Sequence, residues 1–160
     1  MIAVDTSALM AIVLNERQAG ACIAALADDG AILISAGTVA EALIVSARRG
    51  VGEEVARLID GLGLEVVPVT SASARRVAKV YSDWGKGAHP AALNFSDCFA
   101  YDVAKENGCG LLFVGNDFTK TDIAGVILNR LLAVAVGLLP VNEGFPEVTT
   151  RVKFLPIDDR

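Results

Sequence analysis

Five carboxylates in this chain stand where a carboxylate is either costly or purposeful. Asp5 follows the apolar residues 2–4 and precedes Thr6, Ser7 and the apolar run 8–14. Glu41 is set among Val39, Ala40, Ala42 and Leu43, and a helix places Ile44 and Val45 one turn further on. Asp97 lies in Asn94-Phe95-Ser96-Asp97-Cys98, and Asp117 and Asp122 lie in the polar stretch after the apolar residues 111–114. Carboxylate oxygens are hard ligands suited to Mg²⁺ and Mn²⁺. Gathered without a cation, several acids cannot all stay ionised. A bound divalent ion removes that conflict, polarises a phosphoryl oxygen and activates a water. The chemistry expected of such a set is metal-assisted hydrolysis of a phosphodiester.

Each acid alone has an ordinary explanation. Asp5 and Asp97 could cap helices, favoured by the helix dipole. Asp117 and Asp122 suit turns. Glu41 could pair with a base, although Arg48 is two turns away along the same helix. The case rests on the set: acids that follow strands or sit among apolar residues, in four separate segments.

The elements that must position them alternate. Residues 2–4, 31–35, 64–69 and 111–114 read as strands, and residues 8–14, 17–27, 37–49, 52–60, 71–84 and 97–107 as helices. Strands alternating with helices predict an α/β fold, an α/β/α sandwich around a mostly parallel sheet. In such sheets ligands bind beyond the carboxyl ends of the strands, where Asp5 is expected. Glu41 is read as facing inward with Ile44 and Val45, and Val77, Val80, Tyr81 and Trp84 as one apolar helix face. Asn94 is read as a helix cap with Asp97 as its acidic third residue.

Composition narrows the class. The chain has 160 residues, 53% of them apolar and 21% charged, enough for one domain with a real core. The net charge of −5 gives little long-range attraction to nucleic acid, so any such contact must rest on a local cation. Three cysteines without a C-x-x-C pair, and an N-terminus without a basic segment, fit reduced thiols in a cytoplasmic protein. The apolar run 131–139 is too short to span a membrane, and residues 152–157 read as one more strand.

His89 is the single histidine, and no Gly-x-Ser-x-Gly elbow accompanies it, so a Ser–His–Asp hydrolase is not indicated. Cys22, His89, Cys98 and Cys109 lack zinc-ligand spacing. A phosphatase using Asp5 as nucleophile is disfavoured, because Ser7 stands where its second aspartate is expected. Lys86, His89 and Lys120 are the candidate phosphate contacts. Arg48, Arg49, Arg75 and Arg76 are weaker ones, for which solvated surface charge is the ordinary reading.

Asp5-Thr6-Ser7-Ala8-Leu9, Glu41 in Ala-Glu-Ala, Asn94-Phe95-Ser96-Asp97-Cys98-Phe99-Ala100-Tyr101 and Gly115-Asn116-Asp117-Phe118-Thr119-Lys120-Thr121-Asp122 together resemble the PIN domain, most closely VapC toxins of toxin–antitoxin pairs. The resemblance covers residues 1–125. It implies a Mg²⁺-dependent endoribonuclease, with Mn²⁺ as substitute, whose products carry a 5′-phosphate and a 3′-hydroxyl. It maps metal-binding acids onto Asp5, Glu41, Asp97 and Asp117, with Asp122 as a further ligand. Thr6 or Ser7 would support the first acid, and Asn94 would stand behind the ligands. It further implies a homodimer, a VapB-type antitoxin covering the site, and DNA contact only through that antitoxin. The alternative is a non-catalytic PIN-like module acting with its antitoxin as a DNA-bound regulator. The chain departs from the pattern after Ile123, where more than thirty residues follow. Residues 126–160 are expected to be an atypical apolar extension of the same domain, either an added interaction surface or a shifted reading frame.

Overall fold

The computed structural model describes residues 1–28 and 30–127 of the chain. Its elements follow the alternation. Strand β1 (Ile2–Val4) leads into α1 (Thr6–Val13) and α2 (Ala19–Asp28). Strand β2 (Ile32–Ser35) leads into α3 (Ala36–Arg48) and α4 (Gly52–Gly61). Strand β3 (Glu65–Val67) leads into α5 (Ser71–Trp84) and α6 (Asp97–Glu106), and β4 (Gly110–Leu112) is followed by a 3₁₀ turn, Asp117–Lys120.

The sheet order is β3-β2-β1-β4 and every pairing is parallel. Ile2 and Ala3 lie opposite Ile32 and Leu33 on one side, and Ile2 to Val4 opposite Gly110 to Leu112 on the other. The chain therefore winds outward from β1 to β3 and then returns to β1's other flank. The crevice beyond the ends of β1 and β4 is the topological switch point, where such sheets bind ligands.

Period-two alternation sends side chains to two cores. Ala3, Leu33, Leu111 and Phe113 pack with Val77, Leu93, Tyr101 and Val103 beneath α5 and α6. Ile2, Val4, Ile32, Ile34 and Leu112 pack with Leu9, Cys22, Ala25 and Val55 beneath α1, α2 and α4. Three layers result, as expected.

Several local expectations are corrected. Strand β3 is a short edge strand with Glu65 and Val66 exposed, because only β2 flanks it. On α3, Ile44 is 56% exposed, so Glu41 does not share a buried face with it; Thr38, Ala42 and Ser46 face inward. On α5, Val77 and Val80 are buried, but Tyr81 is 38% exposed, since a straight helix turns it off the core. Arg76, read as surface charge, grips buried Asp102 on α6 with two bonds, Nε donating to Oδ1 at 2.7 Å and a terminal guanidinium nitrogen to Oδ2 at 3.0 Å. Among the described residues no helix is long and apolar enough to cross a membrane. The run 131–139 and the strand expected at 152–157 lie outside the described residues.

Candidate metal centre and active site

Asp5 leaves β1 in extended conformation and caps α1. Its Oδ2 accepts from the Ser7 amide at 2.9 Å and from the Ser7 hydroxyl at 2.5 Å. The Ser7 oxygen in turn accepts from the Val114 amide at 3.0 Å, which ties the carboxylate to the end of β4. The other oxygen, Oδ1, is buried without a hydrogen-bond partner. Burial raises the Asp5 pKa, Ser7 opposes the shift, and Glu41's charge adds to it. An unpartnered buried carboxylate oxygen is costly unless something positive meets it.

Thr6 does for Glu41 what Ser7 does for Asp5. Its hydroxyl donates to Glu41 Oε2 at 2.7 Å, across 35 positions of sequence. The Glu41 side chain, half-buried on α3, is thereby turned toward the end of β1.

Asp97 is the first residue of α6 and is buried. Its Oδ2 accepts from the Asn94 backbone amide at 2.6 Å. Burial pushes its pKa up to about 7; the Asn94 amide works against this, and the charges of Asp5, Asp117 and Glu41 add to the rise. The Asn94 side chain is not the cap expected of it: Ser96 occupies the cap position, and Asn94 acts through its backbone.

Asp117 opens the 3₁₀ turn beyond β4. Gly115, at φ +105°, lets the chain turn there, and buried Phe118 stacks at 5.0 Å on Phe113 to anchor it. Asp5, Glu41, Asp97 and Asp117 thus come from four segments to line one cavity of about 260 Å³, together with Glu16 and Arg49.

Asp122 is not part of this wall. It accepts from the Tyr101 hydroxyl at 2.5 Å and from Lys105 at 2.7 Å, both on α6, and Lys105 first and Tyr101 second hold its pKa low. As placed here it braces the turn against α6. The basic candidates also lie away from the cavity. His89 accepts from the Ala91 amide at 3.1 Å through Nδ1 and stands edge-on to Trp84 at 4.6 Å. Lys120 reaches the Pro90 carbonyl at 3.4 Å, and Lys86 is exposed. Of the wall residues, Glu16 escaped the functional reading, and Arg49 figured in it only as a weaker phosphate contact. Glu16 enters because Asn15, at φ +51°, turns the chain back at the end of α1, which no local pattern signals. For Arg49 a signal existed: Glu41, Val45 and Arg49 repeat every four residues.

The donor set fits a hard divalent cation. All donors are oxygens, neighbouring acids' charges add to the raised pKa values of Asp5 and Asp97, and Asp5 Oδ1 lacks a partner among the described residues. Among the described residues no three such side chains are gathered so as to hold an ion as they stand. Mg²⁺ keeps several waters, so few direct carboxylate bonds are needed. Asp5 and Asp97 are the buried acids of the cavity, and Glu41 and Asp117 line it with them.

Comparison with known proteins agrees with this geometry. The PIN domain family model matches residues 2–124. Ribonuclease VapC36 of Mycobacterium tuberculosis is 44% identical over 124 residues, 75% of this chain and 89% of the relative. Ribonuclease VapC30 of the same species is 40% identical over 128 residues, 78% of this chain and 98% of the relative. Among solved structures, the sarcin–ricin-loop-cleaving toxin VapC20 of M. tuberculosis superimposes with a TM-score of 0.64 at 17% identity, over 78% of this chain and 97% of that one. A toxin–antitoxin complex from Klebsiella pneumoniae gives 0.56 at 14% identity, over 76% and 93%. With its parallel sheet, its switch-point acids and these relatives, the chain belongs to the PIN-domain family, in the branch of the VapC ribonucleases.

Proposed function

We propose that this chain is a divalent-metal-dependent endoribonuclease and the toxin of a VapBC-type toxin–antitoxin pair. The observation that carries the reading is the convergence of Asp5, Glu41, Asp97 and Asp117, from four segments, on one cavity at the switch point. A bound Mg²⁺, or Mn²⁺ in its place, supplies Lewis acidity and an activated water.

The chain's own residues do the rest. Ser7 fixes one oxygen of Asp5 and leaves the other without a partner among the described residues. Thr6 fixes Glu41, and the Asn94 amide fixes Asp97. Hydrogen bonds that orient the acids lessen the reorganisation that binding a cation demands, which is how supporting residues tune metal sites. Water as nucleophile makes the RNA 2′-hydroxyl unnecessary, which agrees with products bearing a 5′-phosphate and a 3′-hydroxyl. A VapB-type antitoxin, a homodimer, DNA contact through the antitoxin only and a cytoplasmic setting belong to the same reading. Titled as a toxin–antitoxin complex, the Klebsiella structure supports the first of these. Buried Cys22 and Cys98, with thiol pKa values pushed up to about 11 and about 12 mainly by burial, are unreactive fillers consistent with the last. The nuclease domain ends near residue 125, with residues 126–160 as its extension.

The test is cleavage of an RNA pool by wild type and Asp97→Asn, with Mg²⁺, Mn²⁺ and EDTA compared. Cutting by the wild type that needs the metal and disappears in a folded variant is the expected result. A folded protein that never cuts RNA when free of antitoxin, yet binds operator DNA together with its antitoxin, would instead be the non-catalytic module.

A further inference from the structure

We propose that Arg49 is the residue through which this site grips its RNA, holding a backbone phosphate next to the one that the carboxylates address. The proposal rests on the ribonuclease reading and adds a substrate-binding group to it. Arg49 is the sole cation among the described residues lining the acid cavity. It caps the C-terminal end of α3, the helix that carries Glu41, and Val45 fills the wall between them. Eight residues along a helix put Arg49 about 12 Å from Glu41, backbone to backbone. A side chain from that position that still lines the acids' cavity is within reach of a phosphate next to the one the carboxylates address.

The rest of the charge distribution makes such a group necessary. The chain carries a net charge of −5, and five of the cavity's wall residues are acids. That wall repels a polyanion unless a cation is held at its edge. Three other bases are engaged elsewhere, Arg76 with Asp102, Lys79 with Asp83 and Lys105 with Asp122, and, Arg49 apart, none of the remaining described bases lines the cavity. Arg49 makes no ion pair among the described residues, although Glu16 and Glu41 share its cavity. A guanidinium offers paired donors that match phosphate oxygens, which a lysine's point charge does not.

The experiment measures binding of a labelled single-stranded RNA in Mg²⁺ over a range of KCl, with Arg49→Gln and Arg49→Lys each placed in the Asp97→Asn background. It also measures kcat and KM for the same Arg49 variants in otherwise wild-type protein. Arg49→Gln is expected to weaken binding roughly three- to tenfold and to flatten the log–log salt slope by about 0.7, the value for one phosphate contact on a single strand. Arg49→Lys is expected to keep the slope and lose part of the affinity. In cleavage, Arg49→Gln is expected to raise KM with little change in kcat. An unchanged salt slope, or a loss confined to kcat, overturns the proposal, since Arg49 would then only balance the acids. If the wild type cuts RNA and the slope does not move, Arg49 alone is misassigned. If the parent protein neither binds nor cuts RNA, the ribonuclease reading fails and this proposal with it.

Discussion

Asp97 is charged at a disadvantage. Its pKa is pushed up to about 7 by burial and by three neighbouring acids, while the unfolded chain titrates it near 3.8. The folded protein therefore keeps a proton that the unfolded chain has already released between those two values. Stability contributed by this group is present below pH 4, falls as pH rises, and is fully lost above about pH 7. In EDTA, Asp97→Asn is accordingly expected to melt higher than wild type at pH 8, with the difference shrinking at pH 5. Thermal melts at the two pH values check it, and a pH-independent difference would contradict the assignment. Part of this chemistry was visible in the residues themselves. Asp5 announced its place because a cap and the end of a strand are local features. The bonds of Asp122 lay beyond such local features: its partners Tyr101 and Lys105 lie on α6, about twenty positions away, and only packing brings them together.

Elements, not single residues, decide which acids meet. The first turn of α1 offers two adjacent hydroxyls that point to different acids, Thr6 to Glu41 and Ser7 to Asp5. Thr6→Val keeps the shape and removes the donor to Glu41. It is expected to cut RNA cleavage about 10- to 100-fold, the usual effect of losing a group that orients a ligand, with the fold retained by circular dichroism. The turn after β4 gives a second contrast. Asp117 faces the cavity and Asp122 braces the turn against α6. Asp117→Asn is expected to weaken metal binding, measured by Mn²⁺ titration calorimetry. Asp122→Asn is expected to lower the melting temperature and leave the Mn²⁺ affinity within about twofold, because a brace of this exposed kind contributes about 1 kcal/mol. The α5–α6 contact makes a stricter case, since Asp102 is 5% exposed under Arg76. Arg76→Ala leaves that buried carboxylate unpaired and is expected to destabilise the chain by about 3 kcal/mol in denaturant unfolding. Helix positions were legible from apolar spacing, but facing was not always so. Glu41 was read as inward with Ile44, whereas contacts with α1 and α4 turn Thr38, Ala42 and Ser46 inward and leave Ile44 in water.

For the whole molecule, the parallel sheet fixes the address of the site. Returning to β1's far flank with β4 brings Asp5 and Asp117 to one edge, and α3 and α6 deliver Glu41 and Asp97 over it. The fold thereby assembles acids that repel one another, and its stability must depend on what neutralises them. A cation that binds the folded chain alone raises stability by RT ln(1 + [L]/Kd), about 2.7 kcal/mol at one hundred times Kd. For a domain of this size that corresponds to a rise of roughly 5–10 °C in melting temperature. Wild-type protein is expected to show such a rise as Mg²⁺ or Mn²⁺ is added after EDTA treatment, and Asp5→Asn to lose most of it. NaCl at matched ionic strength supplies the control, because screening weakens repulsion between exposed charges but does little for buried ones. A melt that moves no further with Mg²⁺ than with NaCl would mean that the buried oxygen of Asp5 meets something other than a divalent ion, and the metal-dependent reading of this cavity would fall.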